Sequence, residues 1–160
     1  MPLPNPTEFT NALMGLPMTH RFSVTFMHAG VLPNLIDIRF QEVLGVAAKV
    51  LTKENPSLSP SLSSSKIPIG IEYGDLVLRR GVVIGSFLSQ QVAEVFRSFR
   101  FFRSDILVTV LSESAIPFGA WMFSEAYPVE WQLGDLNAME EKVLIESLSL
   151  TYSKLRWITL

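Results

Sequence analysis

The chain has 160 residues, of which 48% are hydrophobic and 18% charged, and its 13 basic and 15 acidic residues give a formal net charge of −2. This length suits one domain with its own core, without disulfides or a structural metal. The charge balance excludes the broad basic field of a nucleic-acid-binding protein. Because the usual charged share is about 25%, the composition favours an obligate oligomer, and a tightly packed small barrel is the alternative.

Cysteine is absent, which excludes disulfides, thiolate metal sites and cysteine nucleophiles. A chain without cysteine suits folding in a reducing cytoplasm. The first basic residue is Arg21, so the basic segment of a signal peptide is missing, and no apolar run reaches the ~18 residues of a membrane span. We expect a protein that is cytoplasmic before assembly, holds no cofactor and contacts no membrane in its resting state.

The first elements in chain order are an N-terminal arm and two strands. Residues 1–18 carry four prolines, which lack a backbone donor, and predict an extended arm. A strand-rich domain is expected over residues 19–154. Its first two strands place alternate apolar residues on one face, and the second ends in a bend at Gly45. These apolar residues are Phe22, Val24 and Phe26 in the first strand and Ile36, Ile38 and Phe40 in the second.

Residues 53–65 hold six serines and two prolines and predict a long loop, because they can bury little apolar surface. A loop of this length in a compact domain usually has a function, such as ordering on a partner, and an idle insertion is the alternative.

A strand, a turn, a second strand and a helix follow the loop. The turn is expected at Gly74 and Asp75, and the second strand runs to Arg80. Between Ser86 and Phe102 the apolar residues recur at helical spacing, which predicts the single helix with Ser86 as its N-cap. The first strand is indicated by alternating Ile67, Ile69, Ile71 and Tyr73.

Three more strands are predicted, over residues 105–111, 121–131 and 143–152. Pro128 implies an edge position or a bulge in the second of them, and a shift of the apolar set implies a bulge near Glu146 in the third. The fold class is therefore mostly β, an antiparallel β-barrel or sandwich with one flanking α-helix and a long loop. No internal repeat is evident.

The positions of two tryptophans are predicted from the segments that contain them. Trp121, in a strand, is expected in the core. Residues 155–160 form an apolar C-terminal tail that must dock on something to avoid exposure, so Trp157 is expected at an interface.

Arg97, Arg100 and Arg103 recur every three residues and are expected to form one basic stripe on the helix. Arginine suits bidentate pairing with carboxylates or phosphates, so the functional interpretation is docking to an acidic surface of a partner protein. A solvated helix face is the alternative. Nucleic acid comes third, because three arginines without a broad basic field bind it weakly.

Few residues suggest catalysis. His20 and His28 lie at the two ends of one predicted strand, about 26 Å apart, and cannot share a metal. Asp135, Glu140 and Glu141 are candidate paired carboxylates, but they fall in a polar turn where a solvated role is commoner. No phosphate-binding glycine loop or nucleophile elbow is present. We therefore predict no enzyme, no metal and no catalytic residue.

An ordered set of short motifs runs through the strands. Each motif is weak alone, but together and in this order they resemble the tail tube proteins of contractile phages and the inner tube proteins of phage-like contractile injection systems. The likeness covers about residues 22–152. The positions that carry it are Phe40, Gln41, Val43, Gly45, Arg80, Gly81, Asp105, Trp121, Phe123, Ala126 and Pro128.

The resemblance implies a hexameric ring in which the sheets of adjacent subunits join into one β-barrel, and rings that stack into a tube inside a sheath. It implies sheath, baseplate and tape-measure proteins as partners, with the arginine stripe facing the sheath or an adaptor. It also implies a rigid conduit without catalysis. The loop after Gly45 would reach the neighbouring ring through Lys53, Glu54, Asn55, Pro56, Ser57, Leu58, Ser61 and Leu62.

Two alternatives stay open. The serine-rich loop, the N-terminal arm and the C-terminal tail depart from a minimal tube subunit, which suggests a specialised initiator or adaptor ring at the baseplate. From a different class, a small-molecule-binding β-barrel would line its interior with Phe22, Phe26 and Phe40.

Overall fold

The computed structural model describes residues 21–27, 39–54 and 66–159. This part of the chain holds nine strands and one helix, and that helix is too short to span a membrane. The elements are β1 (Phe22–Met27), β2 (Glu42–Leu44), β3 (Ala48–Glu54), β4 (Lys66–Tyr73), β5 (Leu76–Gly81), α1 (Phe87–Ser98), β6 (Ser104–Leu111), β7 (Pro117–Leu133), β8 (Ile145–Thr151) and β9 (Lys154–Thr159).

The main sheet is antiparallel and has the strand order β1-β6-β7-β8-β5-β2, with β9 also paired to β7. Its longest strand is the 17-residue β7, which pairs with three other strands. Its first half pairs with β6 on one side and β9 on the other, and its second half pairs with β8. Within the described residues no ladder joins β1 to β2, so the sheet is open along these two strands. The predicted mostly-β, antiparallel class is confirmed.

Alternation along the strands builds the core. In β1, Val24 and Phe26 are buried, as predicted, because the period of two places them on one face. The inward faces of β5, β6, β7 and β8 meet them, and α1 covers one side. Core residues on those elements include Leu76, Leu78, Leu88, Val92, Ile106, Val108, Phe123, Leu148 and Leu150.

The helix begins as predicted and ends earlier. The Ser86 hydroxyl accepts a hydrogen bond from the Ser89 backbone N–H at 3.1 Å and caps the first turn. The helix stops at Ser98 because Phe99 adopts a left-handed conformation, with φ of 52°. The expected continuation to residue 102 was wrong, since this turn redirects the chain into β6.

Other boundaries differ from the sequence prediction. Phe40 lies before the short strand β2 and outside any strand, and Ile36 and Ile38 lie outside the described residues. The bend at Gly45 is present, with φ of +78°. The bulge expected near Glu146 was wrong, because β8 pairs with β5 without a break. The irregularity at Pro128 is confirmed by a register shift against β8.

The predicted long loop is partly a hairpin. Strands β3 and β4 pair with each other as a separate two-stranded sheet, so Lys53 and Glu54 belong to β3 and not to a loop. The other residues assigned to ring stacking lie outside the described part of the chain; they are Asn55, Pro56, Ser57, Leu58, Ser61 and Leu62.

Candidate assembly surfaces

A buried ion pair fixes the helix to the barrel. Arg80 on β5 is only 3% exposed, and its Nε donates to Glu146 Oε1 on β8 at 2.6 Å. Arg80 Nη2 also donates to the Ser86 hydroxyl at 2.6 Å and to the Ser89 hydroxyl at 3.1 Å. Trp131 Nε1 donates to the second Glu146 oxygen at 3.3 Å. The network is internally satisfied, so its role is to hold the helix N-terminus in place.

The Phe40 ring packs against the Arg80 guanidinium of this network. The guanidinium carbon of Arg80 lies 5.3 Å from the centre of the Phe40 ring, within cation–π range. The Phe40 ring in turn lies 6.0 Å from that of Phe26. The structure thus brings two separate motif positions together. Gly81 follows Arg80 at the end of β5, while Gln41 is exposed and Val43 is half-buried against the core.

Asp105 supports a kink in β7. Its carboxylate accepts a hydrogen bond from the Glu125 backbone N–H at 2.9 Å, and Glu125 has a positive φ of 56°. The ladder between β6 and β7 shifts register at this point. Phe123 and Ala126 on either side of the kink are fully buried. The Asp105 side chain therefore stabilises the bend that lets one strand serve both halves of the sheet.

Trp121 is half-buried against the core, which agrees in part with its expected core position. Its ring lies 5.6 Å from that of Trp157 on β9. The predicted apolar tail is therefore an added strand on β7, and Trp157 keeps 75% of its surface exposed. This strand presents an aromatic surface at the margin of the sheet.

The margins of the main sheet carry strands that are paired on one side only within the described residues. Strand β1 pairs with β6, β2 pairs with β5, and β9 pairs with β7. A strand at such an edge offers backbone donors and acceptors to another chain. These edges are candidate surfaces for joining subunits.

The β3–β4 hairpin carries a large exposed apolar surface. Ile69 is 62% exposed and Ile71 60% exposed, and Val50 opposite Ile71 is 57% exposed. At its base, Tyr73 packs against Tyr152 with ring centres 5.5 Å apart. A two-stranded hairpin is only marginally stable in water, and exposed apolar surface of this kind marks a candidate interaction site.

A cavity of about 980 Å³ lies between the hairpin base and the main sheet. Its walls include Phe22, Val43, Tyr73, Trp121 and Trp157. Of the three phenylalanines expected to line a ligand-binding interior, only Phe22 lies here. Phe26 and Phe40 pack on each other instead, so that predicted lining was wrong.

The three arginines do not form one helical stripe. Arg97 lies in the last turn of α1 and pairs with Glu94. Arg100 and Arg103 follow the helix, because Phe99 redirects the chain, and Arg103 Nη1 lies 3.6 Å from Glu125 Oε1. The predicted stripe was wrong, but all three side chains are exposed, at the corner where the chain leaves α1 and leads into β6.

The pKa of Glu94 at this corner is lowered. The pKa of Glu94 is held below its usual range, first by a hydrogen bond from Ser98 and then by the hydrogen bond and charge of Arg97. Arg100 adds a smaller electrostatic contribution in the same direction. The glutamate therefore stays ionised and balances part of the basic charge.

The candidate catalytic residues are not organised as a site. Asp135, Glu140 and Glu141 are exposed in the turn between β7 and β8, and Glu140 pairs with Lys142. Across the described ranges no group of three or more His, Asp or Glu residues could hold a metal ion. His20 and His28 lie outside those ranges.

Sequence reasoning missed Glu146 as a buried partner of Arg80. The signal was available, because Glu146 shares the period of two with Leu148, Leu150 and Tyr152 and so points inward with them. A carboxylate in such an apolar series requires a buried cation, and Arg80 is its register partner on β5.

The family model described as T4-like virus tail tube protein gp19 matches residues 18–156. The chain therefore belongs to the tail tube protein family, as the ordered motifs predicted, and its role is to form a tube. No curated protein sequence is significantly similar to it.

Solved structures agree with this assignment. A chain of the anti-feeding prophage baseplate, determined by cryo-electron microscopy with 6-fold symmetry, has a TM-score of 0.81 and 29% identity, covering 99% of this chain and 98% of that one. A chain of the extended PVC sheath–tube complex, an extracellular contractile injection system, has a TM-score of 0.76 and 16% identity, covering 99% and 100%. Hcp1 from Flavobacterium johnsoniae has a TM-score of 0.54 and 15% identity, covering 86% and 94%. The last two likenesses show the fold alone.

Proposed function

We propose that this chain forms hexameric rings that stack into the inner tube of a contractile injection system or phage tail. Membership of the tail tube family carries the proposal. The similar baseplate chain comes from a 6-fold symmetrised assembly, which supports six subunits per ring. In that ring the protein is a rigid conduit and performs no catalysis.

The sheet edges supply the contacts within a ring. Each of β1, β2 and β9 is paired on one side only in the described part of the chain, so a neighbouring copy can extend the sheet across the subunit boundary. Six sheets joined in this way would enclose one continuous lumen. A closed ring would pair sheet edges that are exposed in a single copy, which fits the low charge and high apolar content.

The β3–β4 hairpin supplies the contact between rings. Its apolar side chains, including Ile69 and Val50, are exposed in a single copy. Lys53 and Glu54 are the last residues of β3, and we expect the segment 55–65 to take part in the same contact between rings. The neighbouring ring would cover this surface and remove it from water.

The partners outside the tube are the sheath and the baseplate. The similar structures are a baseplate and a sheath–tube complex, which supports both partners. A tape-measure protein inside the lumen and a cytoplasmic state before assembly complete the proposal, and the assembled protein belongs to a phage-tail-like particle.

A specialised ring next to the baseplate is the second candidate. The baseplate chain shares 29% identity with this protein, against 16% for the chain of the sheath–tube complex. An initiator would form single rings that do not elongate, whereas a repeated subunit would form tubes from the pure protein.

Native mass spectrometry of the purified protein tests the proposed ring. Six copies of the 17.9 kDa chain in one complex are expected. A species that stays monomeric across the accessible concentration range would contradict the proposal.

A further inference from the structure

The corner after the helix combines exposed aromatic and basic side chains, and we call it the Phe/Arg corner. Phe99 is 81% exposed, and its ring makes an edge-to-face contact with that of Phe101, with centres 4.8 Å apart. Phe101 in turn contacts Tyr127. The corner consists of Phe96, Arg97, Phe99, Arg100, Phe101, Phe102 and Arg103.

Phe99 is costly for the isolated fold. It has φ of 52° and ψ of 37°, a left-handed conformation that costs a residue with a Cβ roughly 1–2 kcal/mol. Glycine or asparagine would occupy this helix C-terminus with less strain. A large apolar side chain held in a strained backbone and exposed to water points to a function outside the monomer.

A second exposed surface has the complementary character, and we call it the acidic turn. It follows β7 and contains Leu136, 78% exposed, and Met139, 92% exposed. Asp135, Glu140 and Glu141 lie beside them. In the described residues Glu140 pairs with Lys142, while Asp135 and Glu141 have no ion-pair partner. The surface therefore presents apolar side chains beside uncompensated negative charge.

The two surfaces do not meet within one copy. The Phe/Arg corner contacts β7 at Tyr127, and the acidic turn begins after Leu133 at the end of the same strand. Six residues of extended strand separate the two points by about 20 Å. A contact between them must therefore join two molecules.

We infer that the Phe/Arg corner of one copy binds the acidic turn of a second copy. Apolar side chains face apolar side chains, and arginines face carboxylates, so one contact satisfies both surfaces. The contact joins two different patches, which makes it head-to-tail and repeatable around a ring or along a tube. The inference rests on the proposed ring assembly and identifies one contact within it.

A charge swap tests the inference. Arg100 and Glu141 are suitable because neither has an ion-pair partner in the described part of the chain. Arg100→Glu alone and Glu141→Arg alone should each raise the concentration for half-maximal assembly, measured by sedimentation velocity, by about tenfold or more. The double variant Arg100→Glu/Glu141→Arg should return to within about threefold of the wild type.

A matched control separates the contact from net charge. Arg100→Glu/Glu113→Arg has the same net charge as the double swap, but Glu113 lies in the turn between β6 and β7, outside both surfaces. It should assemble as poorly as Arg100→Glu alone. Equal rescue by both double variants would overturn the inference.

Phe99→Asn provides an independent test. Asparagine tolerates the left-handed conformation, so the melting temperature of the unassembled chain should stay the same or rise while assembly weakens by about tenfold. If Phe99→Asn and Arg100→Glu both assemble as the wild type does, the inference is overturned and the proposed tube stays intact. A wild-type chain that forms no ring would contradict the proposed function itself.

Discussion

Arg80 and Glu146 show how one buried ion pair can define the position of an entire helix. Both are nearly inaccessible to water, and the same guanidinium contacts the helix N-cap Ser86. Removing two charges from water is costly unless their hydrogen bonds are satisfied, as they are here. The arginine before Gly81 therefore has a structural explanation and needs no ligand.

Arg80→Ala should lower the free energy of unfolding by about 3–5 kcal/mol, because Glu146 would be left as an uncompensated buried charge. Arg79 on the same strand provides a matched control, since its ion pair with Glu42 is about half exposed on both sides. Arg79→Ala should cost less than about 1 kcal/mol. Urea denaturation of both variants measures the difference, and equal losses would contradict the assigned role.

Tyr152 gives a pH-dependent prediction. Its hydroxyl is buried with no hydrogen-bond partner in the described residues, and burial raises the pKa of this side chain above its usual value. Below pH ~10 this tyrosine is neutral in both the folded and the unfolded chain, so its ionisation does not lower the free energy of unfolding. Stability then falls as the pH rises through the folded-state pKa, because the unfolded chain ionises first.

Tyr152→Phe should therefore lose part of this alkaline destabilisation and gain about 1 kcal/mol at neutral pH, since no buried hydroxyl remains to be desolvated. Thermal unfolding of both proteins between pH 7 and pH 11 measures the effect. A variant that is less stable than the wild type at pH 7 would show that the hydroxyl has a partner.

Gly45 provides a backbone test at the start of the hairpin. Its φ is +78°, and a Cβ at this position would lie 2.0 Å from the backbone oxygen of Asp75. Gly45→Ala should cost more than about 2 kcal/mol, from the left-handed conformation together with this clash. Gly70→Ala on β4 is the control, because a Cβ there meets nothing within 4 Å. Similar melting temperatures for the two variants would contradict the geometry.

At the scale of elements, strong periodicity made several strands and the helix start predictable. Val24 and Phe26 follow the period of two, and Ser86 caps a clear helical pattern. The helix end was not predictable, because Phe99 is an unusual residue for a left-handed C-cap. The kink at Glu125 was also hidden, since it depends on Asp105 from a different strand.

The hairpin shows a second limit of local patterns. Ile67, Ile69 and Ile71 alternate as a half-buried strand should, yet all three are exposed in one copy. Periodicity shows that one face is apolar but not which molecule covers it. The prediction of an arginine stripe was wrong for a related reason. A spacing of three residues places side chains on one face only while the helix continues.

Deletion of residues 57–65 should leave the fold and the ring intact and shorten or abolish tubes, because this segment completes the proposed contact between rings. Ile69→Ser tests the same contact from the described part of the hairpin, where the side chain is 62% exposed. Its melting temperature should change little while stacking weakens. Tubes of normal length from both variants, measured by negative-stain microscopy, would exclude the hairpin from stacking.

At the scale of the whole molecule, motif order identified the family better than any single residue did. A content of 48% hydrophobic and 18% charged residues favoured an oligomer. The ordered motifs predicted the family, and the family model confirms it. The surfaces proposed to join subunits were less accessible to sequence reasoning, because sheet edges and exposed corners arise only when distant segments fold together.

Cryo-electron microscopy of the purified assembly tests the central claim most directly. We predict class averages of a sixfold ring around an open lumen, with the strands of adjacent copies continuous across the subunit boundary. A particle of different symmetry, or a compact monomer without a shared sheet, would contradict the proposed tube.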